Sequence, residues 1–311
     1  MRVVSLVPSA TELLTAIGTD PIGISHSCDY PPRVTTQPTL TSTTIDHEGR
    51  SSREIDDQVS SIDGAAYDLD AHRLDDLDPD LVVTQSTCDI CAVDSSDVFE
   101  AVRDRNLDAE VLALDPHSLD DVLTALLRVG EAVGKTMDAA TLRFEIHERI
   151  NAVESRVAGL DSPRTAVLDW TDPLYRSGHW VRDLVELAGG DSSFQPDGRS
   201  EQIRWDALVE YDPERLVVAP CGFPRERAVD AVSTLAERDE WNDLTAVEEG
   251  HVYAVDGNAL FNRPGPRLVD SLEVLASCIH PELSAVLDDE LAGRVENVAQ
   301  QSGDKNAVQQ S

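Results

Sequence analysis

The sequence of 311 residues predicts an α/β protein made of two three-layer α/β lobes with parallel sheets, joined by a long rigid helix. One observation is a central helical run from Ser118 to Gly159. Its apolar residues fall at Leu119, Val122, Leu123, Leu126, Val129 and Val133, then Met137, Leu142, Ile146, Ile150, Val153 and Val157. Steps of three and four mark a single apolar stripe along a helix. A second observation is a near-repeat on the two sides of that run. Leu74 to Val83 and Leu208 to Val218 share a leading leucine, an Asp-Pro turn (Asp78-Pro79, Asp212-Pro213) and a Leu-Val-Val strand (Leu81–Val83, Leu216–Val218). Such internal similarity marks a duplicated unit. Finally, short apolar runs alternate with helical periods in both halves, the pattern of parallel strands covered by helices.

Within the central run Gly134 stops a first helix and Thr136 caps a second. The second, over 137–158, spans about 33 Å at ~1.5 Å per residue, long enough for a strut. The expected organisation is an N-terminal lobe over 1–117, the strut over 118–160, a C-terminal lobe over 161–290 and a polar, disordered tail over 291–311.

In order, the first lobe reads as a strand at Arg2–Val7, then a helix opened by a Ser9/Glu12 capping box and ended at Gly18. A strand at Ile22–Ser25 and an irregular stretch over 33–50 follow. A helix capped by Ser51 and Glu54 leads to a loop or short strand at 64–70, the first repeat and its strand to Thr84, a helix over 95–105 and a strand at 110–114. The second lobe opens with a strand at Arg164–Asp169 and a loop over 170–180. A helix ending at Gly189-Gly190, the second repeat, a strand at His251–Val255 and a helix after Pro266 complete it.

Composition bounds the function. With 59 acidic against 25 basic residues the formal charge is −34, and Lys135 and Lys305 are the only lysines. An acidic, lysine-poor chain without strong clustering reads as halophilic adaptation, its self-repulsion screened by salt. Nucleic acid is an unsuitable partner for such a charge. The chain opens directly on a strand, with no lipid-attachment cysteine and no apolar run of about 18 residues, which predicts a cytoplasmic protein. Five cysteines in a reducing compartment point to thiol or metal chemistry rather than structural disulfides.

In open parallel sheets, ligands sit beyond the carboxyl ends of the strands. That rule selects 26–32, 85–91, 170–180, 220–224 and 257–267, with Ser9 at the end of the first strand, and facing lobes would enclose these loops in one cleft. His26, Cys28, Cys88, Cys91 and Cys221 lie there and form the inventory of a zinc or iron site. A reversible Cys88–Cys91 disulfide and a set of inert buried thiols are the alternatives, and Cys278 reads as a core residue. Trp170, Tyr175, Trp180, Phe223 and Phe261 are a large share of a scarce aromatic set and suit a large planar ligand; equally, they would plug the lobe ends. Asn258, Asn262, Arg263 and Arg267 precede a helix and would hold an anionic or amide group, or form a structural turn. Asp29, Tyr30, Gln85 and His179 complete the ligand-binding candidates. No catalytic motif is recognisable, so the chain is read as a binding protein and not an enzyme.

Six stretches, in this order, carry a resemblance: RVVSLVPSATELLTAIG, LDPDLVVTQ, the strut, LVELAGGDSSF, WDALVEYDPERLVV and VYAVDGNALFNRPGPRLVDSLEVL. Over residues 1 to 285 the chain resembles the class III substrate-binding proteins for cobalamin and iron chelates, the helical-backbone metal receptors. The resemblance implies a corrinoid (cobalamin) or related metal chelate held between two lobes, an ABC permease as partner and an extracytoplasmic location. It departs from the family in lacking an export signal. Of the two acidic residues such proteins present to a permease, the C-lobe position matches Asp206, whereas the N-lobe position falls on His72. The cysteine-rich loops are foreign to a corrinoid receptor and match a cytoplasmic branch, leaving a Cys/His-coordinated metal or thiol-redox protein as the rival reading.

Overall fold

The computed structural model describes residues 1–62, 66–87, 92–283 and 290–295. Two compact units emerge: Met1–His147 with Pro264–Pro266, and Glu148–Arg263 with Arg267 onward.

In the first unit the elements run β1 (Val3–Ser5), α1 (Pro8–Ala16), β2 (Gly23–Ile24), β3 (Thr41–Thr43), α2 (Ser52–Ser61), β4 (Tyr67–Leu69) and α3 (Ala71–Leu77). There follow β5 (Leu81–Gln85), α4 (Ser95–Asp104), β6 (Glu110–Leu114), α5 (Leu119–Ala132) and α6 (Thr136–Val157). Four strands form a parallel sheet in the order β2-β1-β5-β6. β5 is buried at every position, as expected for an apolar run with helices on both faces. Alternation sends Val4, Leu6 and Val82 to one face, where Leu74 of α3 and Val98 and Val102 of α4 complete a core. Ser5 points the other way and accepts a hydrogen bond from Thr11 of α1, at 2.8 Å.

Two local expectations fail here. Ser9 does not cap α1: Pro8 takes the first helical position, Val7 becomes the N-cap without a side-chain bond, and Ser9 and Glu12 are buried inside the helix. Gly265 lies over them, and a Cβ there would stand 3.4 Å from Glu12 Oε2 and 3.7 Å from the Ser9 carbonyl. The stretch expected to be irregular over 33–50 contains β3, which pairs antiparallel with β4. Ser51 and Glu54 do form the expected capping box.

α6 crosses the division, which falls between His147 and Glu148 rather than at the ends of the helical run. In the second unit follow β7 (Thr165–Thr171), β8 (Leu174–Arg176), α7 (Val181–Leu187), β9 (Glu201–Gln202), α8 (Trp205–Tyr211) and β10 (Arg215–Val218). Then come α9 (Arg225–Leu235), α10 (Thr245–Glu248), β11 (Val252–Val255), α11 (Leu268–Ile279) and β12 (Ala292–Arg294). The sheet order is β12-β11-β10-β7-β8-β9, parallel across β11, β10 and β7 and antiparallel elsewhere. Residues 292–294, expected in the polar tail, are thus an edge strand on β11. Residues 296–311 lie outside the described residues. Arg149 of α6 donates to Asp270 and Glu273 of α11 at 2.6 and 2.7 Å, tying the end of the long helix to this unit.

The duplication is physical. β1, β5 and β6 recur as β7, β10 and β11 with the same parallel neighbours. α3 and α8 both end on an aspartate in the left-handed region, Asp78 at φ 41° and Asp212 at φ 48°. A short polar side chain tolerates that conformation, and the proline after it prevents the helix from continuing.

Candidate functional site

The loops leaving β7, β10 and β11 meet at one end of the second unit's sheet. β7 turns through Asp172-Pro173 into β8, so Trp170 pairs with Tyr175 across a hairpin rather than sitting in an open loop. The Trp170 indole N–H donates to the Asp172 carbonyl at 3.2 Å. Its ring lies 5.7 Å from that of Phe223, tilted by 43°. The Arg227 guanidinium stacks over the Phe223 ring, 5.1 Å from its centroid. Trp170, Tyr175 and Phe223 are all half-buried, leaving part of each ring accessible.

The loop after β11 is fixed to the loop after β10. Gly257 approaches so closely that a Cβ would stand 2.1 Å from the Pro220 carbonyl oxygen, which only glycine allows. Asn258 donates its backbone N–H to the Phe223 carbonyl (3.0 Å), and Asn262 donates its amide to the carbonyls of Gly257 (2.7 Å) and Ala219 (3.2 Å). Arg263, buried, donates to Asn258 Oδ1 at 2.7 Å. Phe261 adopts φ 58°, unfavourable for an aromatic residue. It is held from both sides: Trp180 Nε1 donates to its carbonyl at 2.5 Å, and its N–H donates to Ser271 Oγ at 3.0 Å. Trp180 and Phe261 are 6% and 1% exposed, so these two form the frame while Trp170 and Phe223 form the surface. His179 stacks on Trp180 at 5.3 Å.

One residue missed by the sequence reading stands out. Asp169, the acid directly before Trp170, accepts a hydrogen bond from the Ser200 hydroxyl. Ser200 in turn accepts the Gly178 N–H at 3.1 Å. Desolvation raises the Asp169 carboxyl to about 6, opposed by the hydrogen bonds from Ser200 and from its own backbone N–H. An acid closing the apolar strand run Thr165–Leu168 was the available signal; Ser200 gave none.

The other candidates are placed as follows. Ser9 is buried in α1, Gln85 is buried at the end of β5, and Asp29 and Tyr30 are exposed beyond β2. Cys28 is buried with Ile24 and Val34, its Sγ 3.1 Å from the Thr11 hydroxyl oxygen. His26 shares a 2.7 Å hydrogen bond with Thr41 and stacks on Tyr67 at 5.5 Å. Burial of its ring, with His47 nearby, holds its pKa below the usual imidazole value. Cys221 is half-buried, its N–H donated to the Asp169 carbonyl at 3.0 Å. Cys88 and Cys91 lie outside the described residues. Among the described residues no group of three or more His, Cys, Asp or Glu side chains is placed to hold a metal ion. Cys278 is a core thiol pushed up to about 12 by burial.

The profile of the family described as periplasmic binding protein matches residues 3–259. The chain belongs to that family. Its members are binding proteins, and the expectation of a cytoplasmic protein finds no support in that membership. A protein of Halobacterium salinarum named cobalamin-binding protein is 26% identical over 90% of this chain and 69% of its own length. An ABC transporter substrate-binding lipoprotein of Bacillus subtilis is 22% identical over 90% of this chain and 80% of its own. Among solved structures, a periplasmic heme-binding protein of Pseudomonas aeruginosa aligns with a TM-score of 0.72 at 18% identity, covering 95% of this chain and 98% of that one. The periplasmic vitamin B12 binding protein of Vibrio cholerae aligns at 0.64 and 17%, over 91% and 98%. These likenesses show the two-lobed α/β fold. Among the described residues no helix is long and apolar enough to cross a membrane.

The matched positions on the repeat helices are also defined. His72 and Asp206 are each the second residue of their helix, α3 and α8. His72 is exposed and bonded through Nδ1 to Arg105 at 2.9 Å, whereas exposed Asp206 pairs with Arg204.

Proposed function

We propose that this periplasmic binding protein captures a corrinoid, or a related tetrapyrrole-like metal chelate, outside the cytoplasm and presents it to an ABC importer. The observation that carries the reading is the half-exposed Trp170–Phe223 pair at the strand ends, bordered by the polar Asn258. Flat apolar faces with a few fixed polar groups match a large planar chelate. The cobalamin-binding relative and the heme- and vitamin B12-binding neighbours support that ligand class. The helix starts bearing His72 and Asp206 are the surfaces offered to the importer.

The test is titration of the purified protein with cyanocobalamin in molar salt, followed by visible absorbance and calorimetry, with hemin in parallel. Saturable one-site binding of cyanocobalamin is expected. Replacing Trp170 and Phe223 together by alanine is expected to weaken it about tenfold or more, at ~0.5–1.5 kcal/mol per aromatic contact beyond area. Absence of saturable binding of either compound would defeat the reading.

The charge makes a separate prediction. With a net of −34, self-repulsion is large at low ionic strength and is screened once the Debye length falls from about 30 Å at 0.01 M salt to about 3 Å at 1 M. The thermal midpoint is expected to rise steeply between those two salt concentrations, and a flat profile in differential scanning calorimetry would reject a halophilic reading of the composition.

A further inference from the structure

His26 is an exposed residue whose ring is nonetheless held from two sides. It follows β2 at the carboxyl end of the first unit's sheet, where Ser25 donates its N–H to the Ser5 carbonyl at 2.9 Å. The chain entering β3 runs beside that end, with the Leu40 N–H donated to the Ile24 carbonyl at 2.8 Å. Thr41 of β3 accepts the His26 backbone N–H at 2.9 Å and lies 2.7 Å from ring Nδ1. Tyr67 of β4 stacks on the ring face, with 5.5 Å between centres and 30° between planes. The Thr41 contact sets the rotation of the imidazole and Tyr67 sets its plane.

The same network sets the tautomer. Thr41 is buried, and its single hydroxyl hydrogen goes to Ser25 Oγ at 3.0 Å. The 2.7 Å contact therefore needs a hydrogen on Nδ1, which donates to Thr41 Oγ1. Nε2 then carries no hydrogen and keeps its lone pair. Because Nδ1 is turned inward onto a buried partner, the ring edge bearing Nε2 is turned outward. No hydrogen bond or ion pair engages Nε2 among the described residues.

An imidazole tethered through Nδ1 and open at Nε2 is a metal ligand held ready, since the tether orients the ring and raises its basicity. One imidazole does not hold a bare ion, which takes about four ligands or more. Among the described residues no group of three or more His, Cys, Asp or Glu side chains completes such a set. A metal that suits His26 therefore arrives with its equatorial positions already filled and an axial one exchangeable. A corrinoid carrying a labile axial water is such a species.

We propose that His26 Nε2 is an axial ligand to the metal of the captured chelate, taking the place of a labile axial water. The Nε2–metal bond forms, the metal–oxygen bond breaks and the water leaves to solvent. The oxidation state and the macrocycle are unchanged, and no proton moves. This role rests on the ligand-binding reading above and narrows it, because chelates with an exchangeable axial position are preferred to those whose axial positions are both firmly occupied.

Aquacobalamin and cyanocobalamin differ at one axial position, water in the first and firmly bound cyanide in the second, so the pair isolates the axial bond. Aquacobalamin also carries one more positive charge, which molar salt screens and a His26 variant retains. Calorimetry on the full chain in molar salt at neutral pH is expected to show aquacobalamin bound about tenfold more tightly than cyanocobalamin, or better. In His26→Gln that preference is expected to fall to about twofold or less. In the native protein the visible spectrum of bound aquacobalamin is expected to become that of imidazole-ligated cobalt, for which aquacobalamin in free imidazole is the reference. Equal affinities in the native protein, an aquacobalamin spectrum unchanged on binding, or a preference that survives in His26→Gln would each overturn the proposal. If cyanocobalamin binds and aquacobalamin binds no better, the corrinoid reading stands and His26 has no part in it. Absence of binding by both corrinoids would overturn that reading and the proposal together.

Discussion

Replacing Trp180 by alanine is expected to destabilise the second unit by about 3–5 kcal/mol, the range for removing a buried tryptophan. The ring is 6% exposed, and its N–H satisfies the carbonyl of Phe261, itself 1% exposed. Losing both the ring and the donor opens a cavity and strands a buried acceptor. Trp180→Phe separates the two contributions, since it keeps most of the ring and deletes the donor. Its cost is expected near the ~1–3 kcal/mol of an unsatisfied buried group. Urea unfolding followed by circular dichroism measures both. If Trp180→Ala unfolded at the native midpoint, the frame assigned to Trp180 and Phe261 would be wrong. Because Phe261 holds φ 58° in this frame, the Asn258–Arg263 turn is expected to loosen with it, and cyanocobalamin affinity to fall in parallel.

Asp169→Asn is expected to act in the opposite direction at neutral pH. The folded-state pKa of about 6 lies above the ordinary 3.8, so the native protein holds this proton more tightly than the unfolded chain. The associated stability is complete below pH 3.8 and is lost as pH rises through about 6. A gap of about two units at ~1.4 kcal/mol each makes the ionised acid cost roughly 3 kcal/mol at pH 7. Asparagine carries no such cost and keeps an acceptor for Ser200. The variant is therefore expected to unfold at higher urea than the native protein at pH 7 and at the same urea well below pH 3.8. Equal midpoints at both pH values would show that the carboxyl is well solvated in the native state.

The fold was legible because its signals are local and repeated. The stripe from Leu119 to Val157, the twin Asp-Pro turns and the Leu-Val-Val strands each reflect a periodicity that backbone geometry enforces within a few residues. The antiparallel additions were not legible for the same reason. β8 follows β7 after only Asp172-Pro173, and β12 has just Ala292–Arg294 to announce it, so their identity rests on pairing with distant strands. The site was legible as a set of loops, since strand-end geometry follows from a parallel sheet. Which aromatics are surface and which are frame was not. Trp170 and Trp180 are similar in sequence context and both indoles donate to a backbone carbonyl, but Trp180 is buried against the Phe261 turn while Trp170 lies half-buried on the β7–β8 hairpin. Of the cysteines, Cys278 is the core residue expected, Cys28 lies beside Thr11 among apolar neighbours, and Cys88 and Cys91 lie outside the described residues. Ser9 misled because a capping box is written in four residues, while Pro8 at the first helical position moved the N-cap two residues back to Val7.

Residues 264–266 belong to the first unit although 116 residues of the second precede them in the chain, from Glu148 to Arg263. During synthesis, then, the early half of the molecule waits for a late tripeptide: until Gly265 has emerged, Glu12 and Ser9 lack the backbone that lies over them. A fragment stopped at His147 would carry an open seam along α1, and its recovery on adding the remainder of the chain in trans would measure how much that late arrival contributes to completing the early half.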